Sequence, residues 1–180
     1  MIGNIEIRRP CVEDIKELNV FFDLVIKDTF TKEGLIDMSE EIENEIREKN
    51  IHINDDFESN GERRYFLLAI NDGKIIGTIE YGPANDMIIK CTEGKYKDIV
   101  EIGTVFIHPE YQKQGIGTLM LNSIYAALQK RNIKEFCLDS GYTRAQKIWK
   151  KKFGEPDYIM ENYWAEGVDH MIWKRSISDI

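Results

Sequence analysis

Two glycines, Gly115 and Gly117, stand where an apolar run gives way to a segment with helical spacing. The first amide groups of a helix have no partners within it, and the helix dipole places partial positive charge there. Glycine allows positive φ and lets a ligand approach the backbone without a Cβ in the way. The backbone from Gln112 to Thr118 could therefore hold a phosphate group, although a plain tight turn explains the same two glycines.

Two well-known glycine loops do not fit these residues. The dinucleotide-binding fingerprint requires a third glycine three residues after the second, where this chain has Met120. The nucleoside-triphosphate loop requires Gly-Lys followed by Ser or Thr, whereas Gly117 is followed directly by Thr118. The sequence therefore does not predict a nucleotide-binding protein of either class.

Glu101 is a second residue that could do chemistry, because it is an acid between Val100 and Ile102 in an apolar strand pattern. A carboxylate in such a place needs a partner. Strand alternation is expected to put Glu101, Gly103 and Val105 on one face. The alternative is an edge carboxylate that faces solvent.

The spacing of apolar residues and the turn residues predict the elements that must position these groups. Strands are predicted near Ile5–Ile7, Tyr65–Ile70, Ile75–Tyr81, Asp98–Ile107, Phe136–Leu138, Tyr158–Tyr163 and His170–Lys174. Helices are predicted at Val12–Phe30, from Ser39 as N-cap, after the glycine pair to about Lys130, and at Thr143–Lys152. The segments Asn50–Gly61 and Gly82–Lys97 are predicted to be a polar loop and irregular chain.

Composition excludes several classes of protein. With 180 residues, 42% of them hydrophobic, residues 1–180 are predicted to form a single domain with a substantial core. The net charge of −8 argues against a nucleic-acid partner. No apolar run approaches the roughly 18 residues of a membrane helix, and Met1–Pro10 lacks the apolar core of a secretory signal. Three widely spaced cysteines favour a reducing cytoplasm and form no metal pattern.

The eleven residues Ile107-His108-Pro109-Glu110-Tyr111-Gln112-Lys113-Gln114-Gly115-Ile116-Gly117 resemble the acyl-CoA signature of the GCN5-related N-acetyltransferases, the GNAT superfamily. That signature is an aliphatic residue, a proline two residues on, and then Gln/Arg-x-x-Gly-x-Gly/Ala. The order of elements from Ile5 to Trp173 is also similar to that family. The resemblance implies a single α/β domain of the α+β type. Its mixed, mostly antiparallel sheet would have about six to seven strands, flanked by about four helices and splayed at the central strand.

The resemblance also implies acetyl-CoA as the cosubstrate and no metal. Backbone groups of Val105, Phe106 and Ile107 would bond the pantetheine arm, and a donor near Val105 would polarise the thioester carbonyl. The pyrophosphate would be held by backbone N–H groups of Gln112, Lys113, Gln114, Gly115, Ile116, Gly117 and Thr118.

Two catalytic residues are implied by the same resemblance. Glu101 lies fourteen residues before Gly115, at the position of the base glutamate in the histone-acetylating branch of the family. Many family members have a tyrosine that protonates the leaving thiolate, but the matching position here is Trp149, whose indole has no transferable proton. Tyr142 is therefore the candidate acid, and a thiolate that leaves unaided or through water is the alternative.

The predicted function is acetyl transfer from acetyl-CoA to a primary amine by direct attack in a ternary complex. Ten acidic residues between Asp37 and Glu62 form either a solvated face or a surface that attracts a cation. The predicted acceptor is therefore a small or cationic amine, including a lysine side chain, and the protein a monomer or homodimer without a membrane or nucleic-acid partner. The alternative is an acyl-CoA-binding sensor or scaffold that no longer transfers, which Trp149 favours and Glu101 opposes.

Overall fold

Seven strands and five α-helices make up the computed structural model, which describes residues 4–180. The strands are β1 (Glu6–Arg8), β2 (Tyr65–Asn71), β3 (Lys74–Pro83), β4 (Val100–Ile107), β5 (Glu135–Ser140), β6 (Tyr158–Ala165) and β7 (Val168–Ser176). The helices are α1 (Ile15–Lys32), α2 (Ser39–Glu58), α3 (Asp86–Cys91), α4 (Ile116–Lys130) and α5 (Thr143–Phe153). Met1–Gly3, with which the predicted domain and the N-terminal polar stretch begin, lie outside the described residues.

The strands form one sheet in the order β1-β2-β3-β4-β5-β7-β6. The β4–β5 pair is parallel, whereas β1–β2, β2–β3, β5–β7 and β6–β7 are antiparallel. The predicted fold class, a mixed and mostly antiparallel sheet with flanking helices, is confirmed, with five helices instead of about four.

The chain divides into two compact units. The first contains the described residues up to Tyr81 together with Gly103–Ala127, and the second contains Gly82–Ile102 and Leu128–Ile180. Strand β4 contributes residues to both units. A single domain over residues 1–180 stays a prediction.

In the first unit, the β2–β3 hairpin turns at Asp72 and Gly73, which have φ of 48° and 76°. These two left-handed residues are the turn that the Asp-Gly pair predicts. Helix α1 buries one apolar face, with residues spaced three and four apart from Leu18 to Phe30, and packs against α2. An amphipathic helix is expected to bury its apolar face in the core, as α1 does here.

The prediction of a loop over Asn50–Gly61 is wrong, because α2 continues to Glu58. Its last turns contain poor helix formers, but they bury Ile53 and Asp56, and burial overrides intrinsic propensity. Ser39 is the first residue of the helix and not its N-cap, since Met38 holds that position without a side-chain bond.

Asp56 fixes the end of α2 to two other parts of the first unit. One carboxylate oxygen accepts a hydrogen bond from Arg9 at 2.6 Å and the other accepts from the Phe66 N–H at 2.7 Å. Burial raises the pKa of Asp56, and these two donors act against that shift. A Cβ at Gly61, where φ is +75°, would overlap the Arg9 guanidinium.

We therefore expect Gly61→Ala to destabilise the protein more than Gly34→Ala, as measured by urea unfolding. Gly34 also has φ of +75°, but a Cβ there would meet nothing within 4 Å. Gly34→Ala should lower the free energy of unfolding by about 1 kcal/mol, the cost of a left-handed conformation for alanine. Gly61→Ala should cost about 1–3 kcal/mol more because it displaces Arg9. Equal losses in the two variants would contradict the importance of this contact.

In the second unit, β5 pairs with β4 at Val100↔Phe136 and Glu101↔Cys137 and with β7 along its whole length. Helix α3 corrects the prediction of irregular chain between Gly82 and Lys97. It begins because the Asn85 side chain accepts a hydrogen bond from the Ile88 N–H at 2.8 Å, which is an N-cap.

Candidate active-site residues

The glycine loop of the first unit joins β4 to α4 through a 3-10 turn at Pro109–Tyr111. Lys113 and Gly115 have left-handed backbones, with φ of 61° and 86°. A Cβ at Gly115 or Gly117 would meet no atom within 4 Å. The Leu119 N–H donates to the Gly115 carbonyl at 3.0 Å and begins the bonding along the helix axis. A fifteen-residue helix thus starts at an open, glycine-lined turn, which suits an anion.

Two glutamine side chains of this loop donate hydrogen bonds to nearby backbone carbonyls. The Gln112 amide donates to the Ile107 carbonyl at 3.1 Å and accepts from Lys32 at 3.0 Å. The Gln114 amide donates to the Glu110 carbonyl at 2.8 Å. Ile107, predicted to offer backbone groups to a ligand, therefore already has its carbonyl engaged. The two glutamines therefore hold the loop in shape.

Thr104 interrupts the regular strand geometry of β4. Its φ of 51° is a left-handed value inside a strand, which is typical of a β-bulge. Ile102 and Thr104 are buried, whereas Glu101, Gly103 and Val105 are half-buried, so burial alternates as far as Val105. That Glu101, Gly103 and Val105 share one face stays a prediction.

Glu80 holds this bulge from the neighbouring strand β3. Its side chain is buried and accepts hydrogen bonds from the Thr104 hydroxyl, from His52 Nδ1 at 2.8 Å and from the Arg64 guanidinium at 2.6 Å. Burial acts to raise the pKa of Glu80, but the His52 bond and charge, the Arg64 charge and the Thr104 bond outweigh it and lower that pKa to about 2. Glu80 is therefore an anchored anion within the first unit.

Glu101, in the second unit, is half-buried and has the partner that its place in a strand requires. The Asn85 backbone N–H donates to Oε2 at 2.7 Å, and the Asn85 side-chain amide donates to Oε1 at 3.1 Å. Both oxygens are thus held by one residue at the start of α3. The geometry favours a fixed carboxylate over one that moves freely in solvent.

Tyr142 precedes α5, and Trp149 lies in the second half of that helix. Tyr142 is the N-cap residue: its N–H donates to Ser140 Oγ at 3.1 Å, and its carbonyl accepts from the Gln146 N–H at 2.9 Å. The Tyr142 side chain is half-buried. Trp149 is buried and stacks on Phe153 with a ring-centroid distance of 5.7 Å. The residue at the usual tyrosine position is therefore a packing residue.

Within residues 4–180, no three His, Cys, Asp or Glu side chains are arranged so that they could hold a metal ion. Every described helix is too short or too polar to cross a membrane.

The sequence patterns did not predict several polar residues of these hydrogen-bond networks. Glu80 lies between Ile79 and Tyr81, which is the same acid-in-strand signal that identified Glu101. Asn85 and Asp86 before three apolar residues form a recognisable helix start. Nothing local in the sequence marks Asp139 and His170, which are joined by a hydrogen bond across 31 positions.

A protein-family model described as the acetyltransferase (GNAT) family matches residues 27–154, well over half of the chain. This chain belongs to the GNAT acetyltransferase family. The membership confirms the resemblance predicted from the glycine signature, and the protein is assigned as an N-acetyltransferase.

Solved structures support the same fold for this GNAT acetyltransferase. PaiA N-acetyltransferase from Thermoplasma acidophilum, in complex with coenzyme A, is 23% identical; the match covers 96% of this chain and 100% of that one, with a TM-score of 0.68. A GNAT acetyltransferase from Streptococcus pneumoniae is 21% identical, with 96% and 99% covered and a TM-score of 0.67. The ribosomal-protein-S18-alanine N-acetyltransferase from Escherichia coli is 16% identical, with 97% and 94% covered and a TM-score of 0.62. No curated protein sequence matches this chain.

Proposed function

We propose that this GNAT acetyltransferase transfers an acetyl group from acetyl-CoA to the primary amine of a small or cationic acceptor. The acceptor amine attacks the acetyl carbonyl directly, in a ternary complex. The observation that carries the proposal is the open start of α4, where Gly115 has φ of 86° and a Cβ would meet no atom within 4 Å.

The residues of the glycine loop fit coenzyme A by their chemistry. A diphosphate is matched by unhindered backbone N–H groups at a helix start, and the residues proposed to hold it are those from Gln112 to Thr118. The backbone of Val105, Phe106 and Ile107 is proposed to bond the pantetheine arm. When bound, the cofactor supplies the acetyl group as a thioester. The coenzyme A in the Thermoplasma acidophilum structure supports this choice of cofactor.

Glu101 is the proposed general base. An alkylammonium acceptor with a pKa of about 10.4 must lose a proton before it can attack, and a positioned carboxylate can accept that proton. The two bonds from Asn85, at 2.7 and 3.1 Å, hold the carboxylate in one orientation. This support for Glu101 favours the enzyme over the alternative, a sensor or scaffold that binds acyl-CoA without transfer.

Tyr142 is the proposed acid for the thiolate, because Trp149 is committed to packing on Phe153. Its backbone bonds to Ser140 and Gln146 at the start of α5 hold the residue in place. Loss of the thiolate unaided or through water remains the alternative route.

The proposed acceptor is cationic because α2 exposes a series of carboxylates to solvent. Glu40, Glu41 and Glu43 are exposed and lie in its first half. A protein amine is the other acceptor class, since the Escherichia coli relative is an alanine N-acetyltransferase of a ribosomal protein. The protein is further proposed to be a cytoplasmic monomer or homodimer without nucleic-acid or membrane partners. The net charge of −8 argues against a nucleic-acid partner, and the spacing of the cysteines favours a reducing cytoplasm.

An amine panel tests the proposal, with release of the coenzyme A thiol as the measurement. Polyamines, aminoglycosides and lysine peptides should react, and neutral amino acids should react slowly or not at all. Reaction of neutral amino acids alone would contradict the cationic acceptor. Binding of acetyl-CoA without turnover on any amine would favour the sensor or scaffold.

We expect Gly115→Ala to raise the Kd for coenzyme A at least tenfold, about 1.4 kcal/mol of binding free energy. The new methyl group and the strained backbone would both disturb the proposed phosphate contacts. Gly73→Ala is the matched control, because Gly73 also has positive φ and open space but lies in the β2–β3 turn. Isothermal calorimetry gives both values. An equal Kd in the two variants would contradict the proposed phosphate site.

A further inference from the structure

A continuous chain of hydrogen bonds in the second unit connects Glu101 with an exposed tryptophan. It passes through the residues Glu101, Asn85, Asp139, His170 and Trp164. Asn85 Nδ2 lies 3.1 Å from Glu101 Oε1 and 3.1 Å from Asp139 Oδ2. His170 Nε2 lies 3.0 Å from the same Asp139 oxygen, and Trp164 Nε1 lies 3.3 Å from His170 Nδ1. The proposed catalytic chemistry uses only the first of these residues.

The orientation of the Asn85 amide is determined by its neighbours. Two carboxylates face Nδ2, so this atom must be the NH2 group with its two hydrogens, one for each carboxylate. The Ile88 N–H faces Oδ1 at 2.8 Å, so that atom must be the acceptor. All the hydrogen-bonding groups of the side chain are therefore engaged, and rotation of the amide would break three bonds together.

The direction of the outer bonds is determined in the same way. An indole N–H can only donate, so Nδ1 of His170 must accept from Trp164 and carries no proton. His170 is therefore the neutral tautomer with its hydrogen on Nε2, which donates to Asp139. His170 is only 3% exposed and has the Tyr163 and Trp164 rings beside it, with centroids at 5.7 and 5.8 Å.

We propose that Asn85 is a positioning residue for Glu101, and that Asp139 and His170 in turn hold the Asn85 amide. The inference rests on the proposed role of Glu101 as the base. A carboxylate on a glutamate side chain has several rotamers, and two bonds from one anchored residue select a single orientation. Fixed orientation matters for rate because misplacing a reacting group by about 1 Å can cost about a hundredfold.

Asn85→Asp tests the proposal without removing the cap of α3. Aspartate has the same shape and can still accept from the Ile88 N–H, but it donates to neither carboxylate and adds a negative charge between them. We expect kcat to fall by about ten- to a hundredfold, with an unchanged KM for acetyl-CoA. The acid limb of the kcat–pH profile should move to higher pH, because the added charge makes Glu101 harder to ionise. A purely structural role would not move this limb.

Asn162→Asp is the matched control in the same unit. The Asn162 side chain also accepts a backbone hydrogen bond, from the Gly167 N–H, but it lies on the exposed strand β6. This variant should retain the wild-type kcat and pH profile. Asn85→Ser is a second variant at the site, since serine also caps a helix but cannot bridge the two carboxylates. It should lose rate with a smaller shift in the acid limb than Asn85→Asp, because it removes one donor to Glu101 and adds no charge.

The outcomes separate this inference from the proposed function. Wild-type kcat and pH profile in Asn85→Asp or in a folded Asn85→Ser, together with an inactive Glu101→Gln, would overturn the positioning role alone. A Glu101→Gln enzyme with the wild-type rate would overturn the base and the positioning role together. In a Glu101→Gln background, Asn85→Ser should cause no further loss, and a further loss would also overturn the proposal.

Discussion

Replacing Glu101 with glutamine is expected to lower kcat by about 10²–10⁴-fold, the usual contribution of a positioned general base. Glutamine has nearly the same shape and still accepts from the Asn85 backbone N–H, so the fold should be retained. Binding of acetyl-CoA, measured by calorimetry, should be unchanged, because the glycine loop is untouched. The residual rate should rise with pH as more of the acceptor amine loses its proton unaided.

Glu135→Gln is the control for this experiment. Glu135 lies on the adjacent strand β5, but it is exposed and pairs with Lys174 at 3.2 Å. This variant should turn over at the wild-type rate. A Glu101→Gln enzyme that matched it at every pH would remove Glu101 from the chemistry and leave a water-mediated route for the acceptor proton.

Replacing Glu80 with glutamine is expected to lower the free energy of unfolding by about 3–5 kcal/mol, which is typical when one partner of a buried ion pair is removed. The loss arises because Arg64, which bonds Glu80 at 2.6 Å, keeps its charge in a place where its side chain is only 12% exposed. The bulge at Thr104 also loses its charged acceptor. Chemical denaturation at neutral pH gives the value.

Asp23→Asn provides the comparison, because Asp23 pairs with Lys27 on the surface of α1 with both side chains about half exposed. Exposed helix pairs of this kind contribute about 0.3–0.5 kcal/mol. A loss in Glu80→Gln as small as that in Asp23→Asn would contradict the anchoring role of Glu80.

The Glu80 prediction has a definite pH dependence. The pKa of Glu80 falls from its ordinary 4.5 to about 2 in the folded protein. Stability from the ionised carboxylate is therefore fully present above pH 4.5 and is lost as the pH falls towards 2. Glu80→Gln should lack this part of the acid sensitivity, so the stabilities of the two proteins should converge only as the pH falls to about 2.

Local patterns in the sequence were sufficient for much of the fold. Asp72-Gly73 predicted the hairpin, the apolar spacing predicted α1 and α4, and the run from Ile107 to Gly117 predicted the strand–turn–helix and the family. Each of these signals lies within a few residues, where backbone preference and periodicity decide the structure. The glycine loop of the candidate site was found for the same reason.

What the sequence did not reveal depends on contacts between distant residues. The second half of α2 is helical because Asp56 meets Arg9, which is 47 positions away, whereas its local residues favour a loop. A left-handed Thr104 contradicts the preference of a β-branched residue and is held by Glu80, 24 positions away. The partners of Glu101 also lie outside its own strand. Pairings of this kind follow from tertiary packing and leave no periodic trace.

The three tryptophans differ in a way that gives this protein two built-in optical probes. Trp173 and Trp149 are buried, whereas Trp164 is 53% exposed and bonded to His170. Emission from the buried pair should follow global denaturation, while collisional quenchers in the solvent should reach the third indole first. Steady-state fluorescence on the unlabelled enzyme can thus monitor the outer end of the Asn85 network independently of core melting.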